Sequence, residues 1–173
     1  MTFRPRIDIF DVDSTTSTEF CDLTNRVLGT SYPPSCFHIA QREGHLVFIY
    51  KVAVVAGRIV GGIRAYSITS GPGSTSSSRI LPFATYIDTL VVDPHFQHQG
   101  IGGILVELVE QISKELFIHE LQLHTPSNNY SAIQWYVESH GYTHHGTSPN
   151  FYADTPLASS QHSLDAVLLH KLI

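Results

Sequence analysis

The sequence predicts one mixed α/β domain, on three observations. The chain has 173 residues and a hydrophobic fraction of 42%, within the roughly 100–200 residues that one core serves. Alternating, β-branched runs interleave with runs of helical period along its length. A strand–helix–strand unit in the C-terminal half implies a parallel pair with a right-handed crossover, while hairpin signals elsewhere imply antiparallel pairs.

Each element has its own warrant. Arg6–Val12 alternates, with Ile7 and Ile9 on one side and Asp8 and Asp11 nearby, and reads as an edge strand. Thr16 stands three residues before Glu19, the spacing of a capping box. Phe20, Leu23, Val27 and Leu28 then recur at helical spacing, and Gly29 can end that helix in the left-handed conformation. Pro33-Pro34 breaks the chain, and Ser35–Glu43 is expected to form a second short helix. His45–Ile68 is rich in β-branched and aromatic residues and interrupted at Ala56-Gly57-Arg58, a hairpin signal. Residues 70–79 begin SGPGSTSSS and read as a flexible inter-strand loop. Ala84–Val92 is the strongest buried strand. Gly102–Leu116 is the strongest helix, with Ile104, Leu105, Leu108, Ile112 and Leu116 as its apolar stripe and Glu107, Glu110, Gln111 and Lys114 as its solvent face. Glu120–Thr125 is a short strand, and Ser131–Ser139 an amphipathic helix ended by Gly141. Strands near Tyr142–Thr147 and Ala166–Leu172 flank an irregular insert over residues 148–163. There is no internal repeat, and residues 1–173 read as a single domain.

Composition narrows the function. The formal net charge is -5, and 14% of residues are charged, against about 25% in an average domain. That balance argues against nucleic acid as a partner, because phosphate binding needs clustered Lys and Arg. It argues equally against a polybasic membrane surface. Apolar runs such as Val52–Ala56 are far shorter than the ~20 residues a membrane span requires. The start, Met1-Thr2-Phe3-Arg4, has no charged-then-apolar leader pattern, so the expected location is the cytoplasm or the nucleus. Cys21 and Cys36 are expected to be reduced, buried thiols. His144-His145 is no metal centre, because neighbouring strand residues point to opposite faces.

The most informative stretch is Val91–Gly103, VVDPHFQHQGIGG. A buried strand ends, Asp93-Pro94 turns the chain, and glycines open a helix. The first amides of that helix are unpaired and the helix dipole favours an anion there. No Gly-Lys-Ser/Thr follows and Gly-x-Gly-x-x-Gly is absent, which excludes a Walker loop and a dinucleotide fingerprint. From the residues alone, an anion cradle and a turn that merely packs helix on strand both remain open.

Gln97-His98-Gln99-Gly100-Ile101-Gly102 resembles the Q/R-x-x-G-x-G/A signature of the GCN5-related N-acetyltransferases, the GNAT superfamily. Within it, the sequence is most similar to the NatE-type catalytic subunit of N-terminal acetyltransferases. Tyr86-Ile87-x-Thr89-Leu90, Leu123-His124 and Asn129-x-Ser131-Ala132-Ile133-x-x-Tyr136 carry that likeness, together with LGTSYPP around Tyr32 and Asn150-Phe151-Tyr152. The resemblance implies a GNAT fold: a mixed sheet of about seven strands, flanked by about four helices and splayed between the fourth and fifth strands. It implies acetyl-CoA as co-substrate, no metal, and transfer of the acetyl group to the α-amine of a Met-starting peptide or nascent chain. A lysine or small-molecule N-acetyltransferase, or a catalytically weak CoA-binding scaffold subunit, are the alternatives. An auxiliary ribosome-anchoring subunit and a second catalytic subunit are the partners it implies, with ribosome association in the cytoplasm.

The same resemblance distributes roles. The main chain of Leu90, Val91 and Val92 would face the thioester, with Leu90 N–H as an oxyanion donor. Gln97, His98, Gln99, Gly100, Ile101, Gly102 and Gly103 would cradle the pyrophosphate. Asn129 and Ser131 would meet the CoA arm, and Tyr136 the departing sulfur as general acid. Tyr86 and His124 would remove the amine proton, through an ordered water. Leu28, Gly29, Thr30 and Tyr32 on one loop, with Phe151 and Tyr152 on another, would hold the peptide. Three departures stand out. Leu28-Gly29 replaces the Phe-Pro usual in relatives. Asp88 replaces an apolar residue on the Tyr86 strand face, and would bias the site toward a polar or basic second residue or hold the α-ammonium. Gln97, His98 and Gln99 replace basic residues, which leaves phosphate contacts to the backbone.

Overall fold

A computed structural model of the chain describes residues 6–38, 47–69, 81–160 and 162–173. The strands are β1 (Asp8–Asp11), β2 (Phe48–Val55), β3 (Arg58–Thr69), β4 (Pro82–Val92), β5 (Glu120–Pro126), β6 (Thr143–Ser148) and β7 (Ala166–Leu172). The helices are α1 (Ser14–Leu28), α2 (Ile101–Glu115) and α3 (Tyr130–Gln134), and α3 runs on as a π-helical turn over Trp135–Ser139. The seven strands form one sheet in the order β1-β2-β3-β4-β5-β7-β6. All neighbours are antiparallel except β4 and β5, which are parallel and joined through α2. This is the mixed α/β GNAT architecture that the resemblance implied. The polar loop expected at 70–79 lies outside the described residues.

The sheet is built around one narrow junction. β4 and β5 pair only at Thr85–Leu121, Tyr86–Gln122 and Ile87–Leu123. Beyond those pairs β4 stays with β3 as far as Val92, and β5 stays with β7 as far as Pro126. The expected splay between the fourth and fifth strands is therefore present. On its other edge β4 carries a bulge: Arg64 pairs with Thr89 and Ala65 with Ile87, which leaves Asp88 as the extra residue.

Two helices grip opposite faces of β3. A Cβ on Gly62 would lie 2.5 Å from Cε2 of Phe20, a fully buried α1 side chain. A Cβ on Gly61 would lie 3.2 Å from Ile101 of α2. The glycines let both helices approach the strand closely. A larger cluster under α2 contains Leu105, Val106, Val109, Ile63, Ile87, Leu121 and Leu169, and a second under α1 contains Phe20, Leu23, Phe37, Tyr50 and Val52.

Several local expectations are corrected. The N-cap of α1 is Asp13, not Thr16: its carboxylate accepts from the Thr15 and Thr16 amides, and the Asp13 amide donates to Thr16 Oγ1 at 2.8 Å. The helix thus begins a turn earlier, because an aspartate already satisfies its orphan donors. Gly29 does end it, at φ 65°. Of the second short helix, a 3-10 turn over Pro34–Phe37 is present, and residues 39–43 lie outside the described residues. The buried arc of α2 is rotated toward Val106, Val109 and Ser113, leaving Ile104 and Leu116 exposed. Ser113 is small enough for α2 to settle on β4, where its hydroxyl meets Thr85 Oγ1 at 2.8 Å. Glu110 consequently leaves the solvent face and accepts a 2.7 Å bond from Lys171 of β7. Both cysteines are free, but Cys36 is exposed rather than buried. No helix among the described residues is long and apolar enough to cross a membrane.

The turn after β4 is tied to its surroundings by Asp93. Its buried carboxylate accepts from the His95 amide and lies 3.2 Å from both Arg26 of α1 and Arg58 of β3. The hydrogen bonds from the His95 side chain and amide lead in lowering its pKa. A depressed native pKa adds stability that is present above the unfolded value and lost as pH falls through the native one.

Two outcomes follow. Gly62→Ala should destabilise the fold by roughly 1–3 kcal/mol through overpacking against Phe20, read from urea denaturation. Asp93→Asn should lower the melting temperature at pH 7, and the gap to the parent should close as acid titrates the parent through the depressed Asp93 value.

Candidate active site

A cavity of ≈ 630 Å³ opens where β4 and β5 part. Strand β4 supplies Tyr86, Asp88, Leu90 and Val92; β5 supplies His124; the π-helical turn supplies Tyr136; and the start of α2 supplies Gly100 to Gly103. Because β4 rises ~3.3 Å per residue, Tyr86 and Val92 stand at opposite ends of an elongated site.

The glycine turn is shaped as a cradle. Gly100 is the N-cap of α2 at φ 86°, and no side chain caps it. The bond from Ile104 N–H to Gly100 O opens the helical ladder, so the amides before it belong to the unpaired first turn. A Cβ on Gly102 would lie 3.4 Å from Trp135, and one on Gly103 would lie 3.3 Å from His140. Glycine lets the start of α2 approach those rings closely. His98 lies on the cavity wall at φ 60°. Gln97 lines the wall and donates to Val92 O at 3.0 Å, whereas Gln99 donates to His95 O at 3.3 Å and lies off the wall. No lysine or arginine is among the described lining residues, so the helix amides and dipole are the local attraction for an anion there. The residues therefore fit a pyrophosphate.

At the other end, Tyr86 Oη and His124 Nδ1 are 2.9 Å apart. They are brought together because Tyr86 pairs with Gln122, two residues before His124, on the same sheet face. His124 Nε2 lies 3.4 Å from Ser148 Oγ, and its ring stacks on Phe151 with centroids 4.0 Å apart. Both histidine tautomers keep these bonds: Tyr86 donates and Nε2–H donates onward, or Nδ1–H donates to Tyr86 and Ser148 donates inward. Burial lowers the His124 pKa and raises that of Tyr86. Tyr136 is buried in the cavity wall, and burial raises its pKa too. At neutral pH all three groups are uncharged, with the imidazole able to accept a proton.

Most predicted residues meet in this cavity. Leu90, Val92, Ile101, Asn129 and Ser131 line it, as do Leu28, Tyr32, Asp88, Phe151 and Tyr152. Asn129 also caps α3, accepting from the Ala132 amide at 3.3 Å. Four predicted residues lie off its walls. Val91 points into the α1 cluster, and Gly29 is the αL cap of α1. Thr30 is buried, donating to Asn25 Oδ1 at 2.9 Å, and Gln99 is spent on its own turn. The structure adds Thr24, Tyr66, Phe96 and Trp135 to the lining. Tyr66 faces Tyr86 directly across β3 and β4, with rings 5.5 Å apart. Strand register could have found it, but the length of the intervening loop hid that register. Trp135 stood beside Tyr136 in the motif without a role of its own.

Comparison with known proteins bears on the family and the fold. The family model described as "Acetyltransferase (GNAT) family" matches residues 12–142. No curated protein matches the sequence. Among solved structures, Arabidopsis thaliana Naa50 in complex with the bisubstrate analogue CoA-Ac-MVNAL superposes with a TM-score of 0.73 at 21% identity, over 96% of this chain and 99% of that one. Arabidopsis thaliana NAA60 with acetyl-CoA gives a TM-score of 0.75 at 18% identity, over 97% and 100%. Chaetomium thermophilum Naa20 with a bisubstrate analogue gives 0.73 at 23% identity, over 97% and 86%. At such identities these likenesses speak for the fold, and the family match carries the assignment: the chain belongs to the GNAT family of acetyltransferases.

Proposed function

We propose that this GNAT protein is an N-terminal protein acetyltransferase that moves an acetyl group from acetyl-CoA to the α-amine of a peptide or nascent chain. The observation that carries the reading is the direct Tyr86–His124 contact of 2.9 Å at the mouth of the splay, in one cavity with the glycine cradle and Tyr136. The solved neighbours support it, since Naa50 was captured with a peptide joined to CoA.

The chemistry needs two proton movements. The amine nitrogen forms a bond to the thioester carbonyl carbon, the carbon–sulfur bond breaks, and the amine loses a proton while the sulfur gains one. A peptide α-amine has a pKa near 7.7–8.0, so a modest base is enough. His124, directly or through a water held with Tyr86, takes that proton and then releases it to solvent. Tyr136 supplies one to the departing sulfur and is restored from solvent. Leu90 N–H, on the stretch of β4 past the β5 pairing, is the donor proposed for the carbonyl oxygen. The cradle from Gln97 to Gly103, with Asn129 and Ser131, holds CoA. Leu28, Tyr32, Phe151 and Tyr152 wall the peptide end. Cytoplasmic location, ribosome association, an auxiliary anchoring subunit and a second catalytic subunit rest on the resemblance of the sequence motifs to the NatE branch.

The test is release of free CoA thiol from acetyl-CoA with a panel of peptides, Met-Leu starts included, beside the same peptides N-blocked but bearing lysine. Turnover of the free N-termini alone supports the reading; turnover confined to lysine overturns it. His124→Ala and Tyr86→Phe should each lower kcat by about 10²-fold while keeping the melting transition, and near-normal kcat in both would remove them from the mechanism. The pH profile is a further check. Because burial lowers the His124 pKa, kcat should hold its plateau to below pH 6.5, the ordinary histidine value. The profile of kcat/KM should instead fall below about pH 8 as the free amine protonates.

A further inference from the structure

Asp88 stands inside the cavity and is paired from behind. It is the bulged residue of β4, the one that the β3 ladder leaves without a Cα partner. Arg64 Nε donates to both of its oxygens, at 2.9 and 3.0 Å. The rest of the guanidinium is turned away from the cavity: Nη1 donates to Cys36 O at 2.6 Å, and the group lies 4.6 Å from the Phe37 ring centroid. Asp88 lines the cavity and Arg64 does not. The anionic half of a largely buried pair thus faces the substrate, while the cationic half is locked behind it under the loop that carries Tyr32.

That arrangement restricts what Asp88 can recognise. One N–H serves two carboxylate oxygens, which leaves acceptor capacity on the cavity side. The charge is already balanced by Arg64, so a second cation finds little net field. An anion meets the carboxylate first. An aliphatic group covers the oxygens without satisfying them, which costs the desolvation of an unpaired acceptor. A hydroxyl or carboxamide satisfies the oxygens without adding charge. Position decides which part of the substrate this is. Asp88 lies two residues from Tyr86 and two from Leu90, ~7 Å each along the strand. The first side chain is the part of a peptide nearest to an amine held between them.

We propose that Asp88, held by Arg64, is a specificity-determining residue that selects peptides whose first side chain is a neutral hydrogen-bond donor. This rests on the reading that a peptide N-terminus is the acceptor. The selection is for a hydroxyl or carboxamide over aliphatic, basic or acidic side chains.

The test compares the parent, Asp88→Asn and the double variant Asp88→Leu/Arg64→Met on peptides that differ only in a first residue of Ser, Thr, Asn, Leu, Lys or Glu. Two quantities are read: kcat/KM for acetylation, and peptide affinity by calorimetry in the presence of CoA. The parent should favour Ser over Leu, and the double variant should shift that ratio toward Leu by about tenfold or more. Asp88→Asn keeps an oxygen for Arg64 and should retain a Ser preference; it carries the comparison if the double variant does not fold. An unchanged order in the double variant, or a parent that prefers Lys or Leu, overturns the proposal. Absence of turnover with every peptide would overturn the acceptor reading instead, and equal affinity of the parent for Ser- and Leu-first peptides would then overturn the role of Asp88.

Discussion

Every other feature of the site depends on β4 and β5 pairing for three residues and then parting. Each strand keeps its outer partner, β3 or β7, so the sheet holds together. Past Ile87 and Leu123, however, the inner edges have no ladder between them. Backbone polar groups in a protein interior need partners, and an opening of this kind can be closed by an extended ligand that supplies its own. Further elements of the chain wall the opening. Tyr136 enters from the π-helical turn, and Phe151 and Tyr152 enter from the segment between β6 and β7. Tyr152, Leu157 and Ala166 form a small core of their own that fixes that segment.

The same strand also ties the two ends of the cavity to one rigid frame. Tyr86 sits at the junction and Val92 beside the cradle, and Asp93 then bonds to α1 and β3 through Arg26 and Arg58. The glycine turn is thereby held by elements that approach β3 from opposite sides at Gly61 and Gly62. A shift of α1 would move the leucine and tyrosine walls, Leu28 and Tyr32, and the Asp93 anchor together. Close packing in the two clusters is what makes the distance between base and cradle a fixed property of the fold.

The fold was legible because its signals are local. Period-2 runs, the Ala56-Gly57 turn and the strand–glycine–helix passage each declare themselves within a dozen residues, and all appear where expected. The failures concern relations between elements. Glu110 looked solvent-facing because its partner, Lys171, is sixty-one residues away. Thr16 looked like a cap because Asp13 competed for the same role one turn earlier. In the site, alternation along β5 separated Gln122 and His124 from Leu121 and Leu123, as the burial confirms. What the sequence could not show was the bulge at Asp88, nor that Arg64 of β3 stands behind it. A departure from the family pattern marked Asp88 as unusual; the register gave it a partner.

The low charge of the chain now has a physical place in this arrangement. The described lining includes tyrosines, His124, whose charged form burial disfavours, and one carboxylate, Asp88, balanced from behind. In such surroundings an isolated ion would be costly. The proposed transfer leaves the net charge of the site unchanged, because His124 gains the proton that departs the amine as Tyr136 gives one to the sulfur. The anion of the proposed co-substrate would sit at the helix start, where partial charges of main-chain amides serve and no lysine or arginine is among the described lining residues. A site built this way separates the permanent charge of the cofactor from the transient charge of the reaction. The length of β4 that keeps them apart also bears Tyr86, the hydrogen-bond partner of the proposed proton acceptor, and the residue proposed to read the substrate.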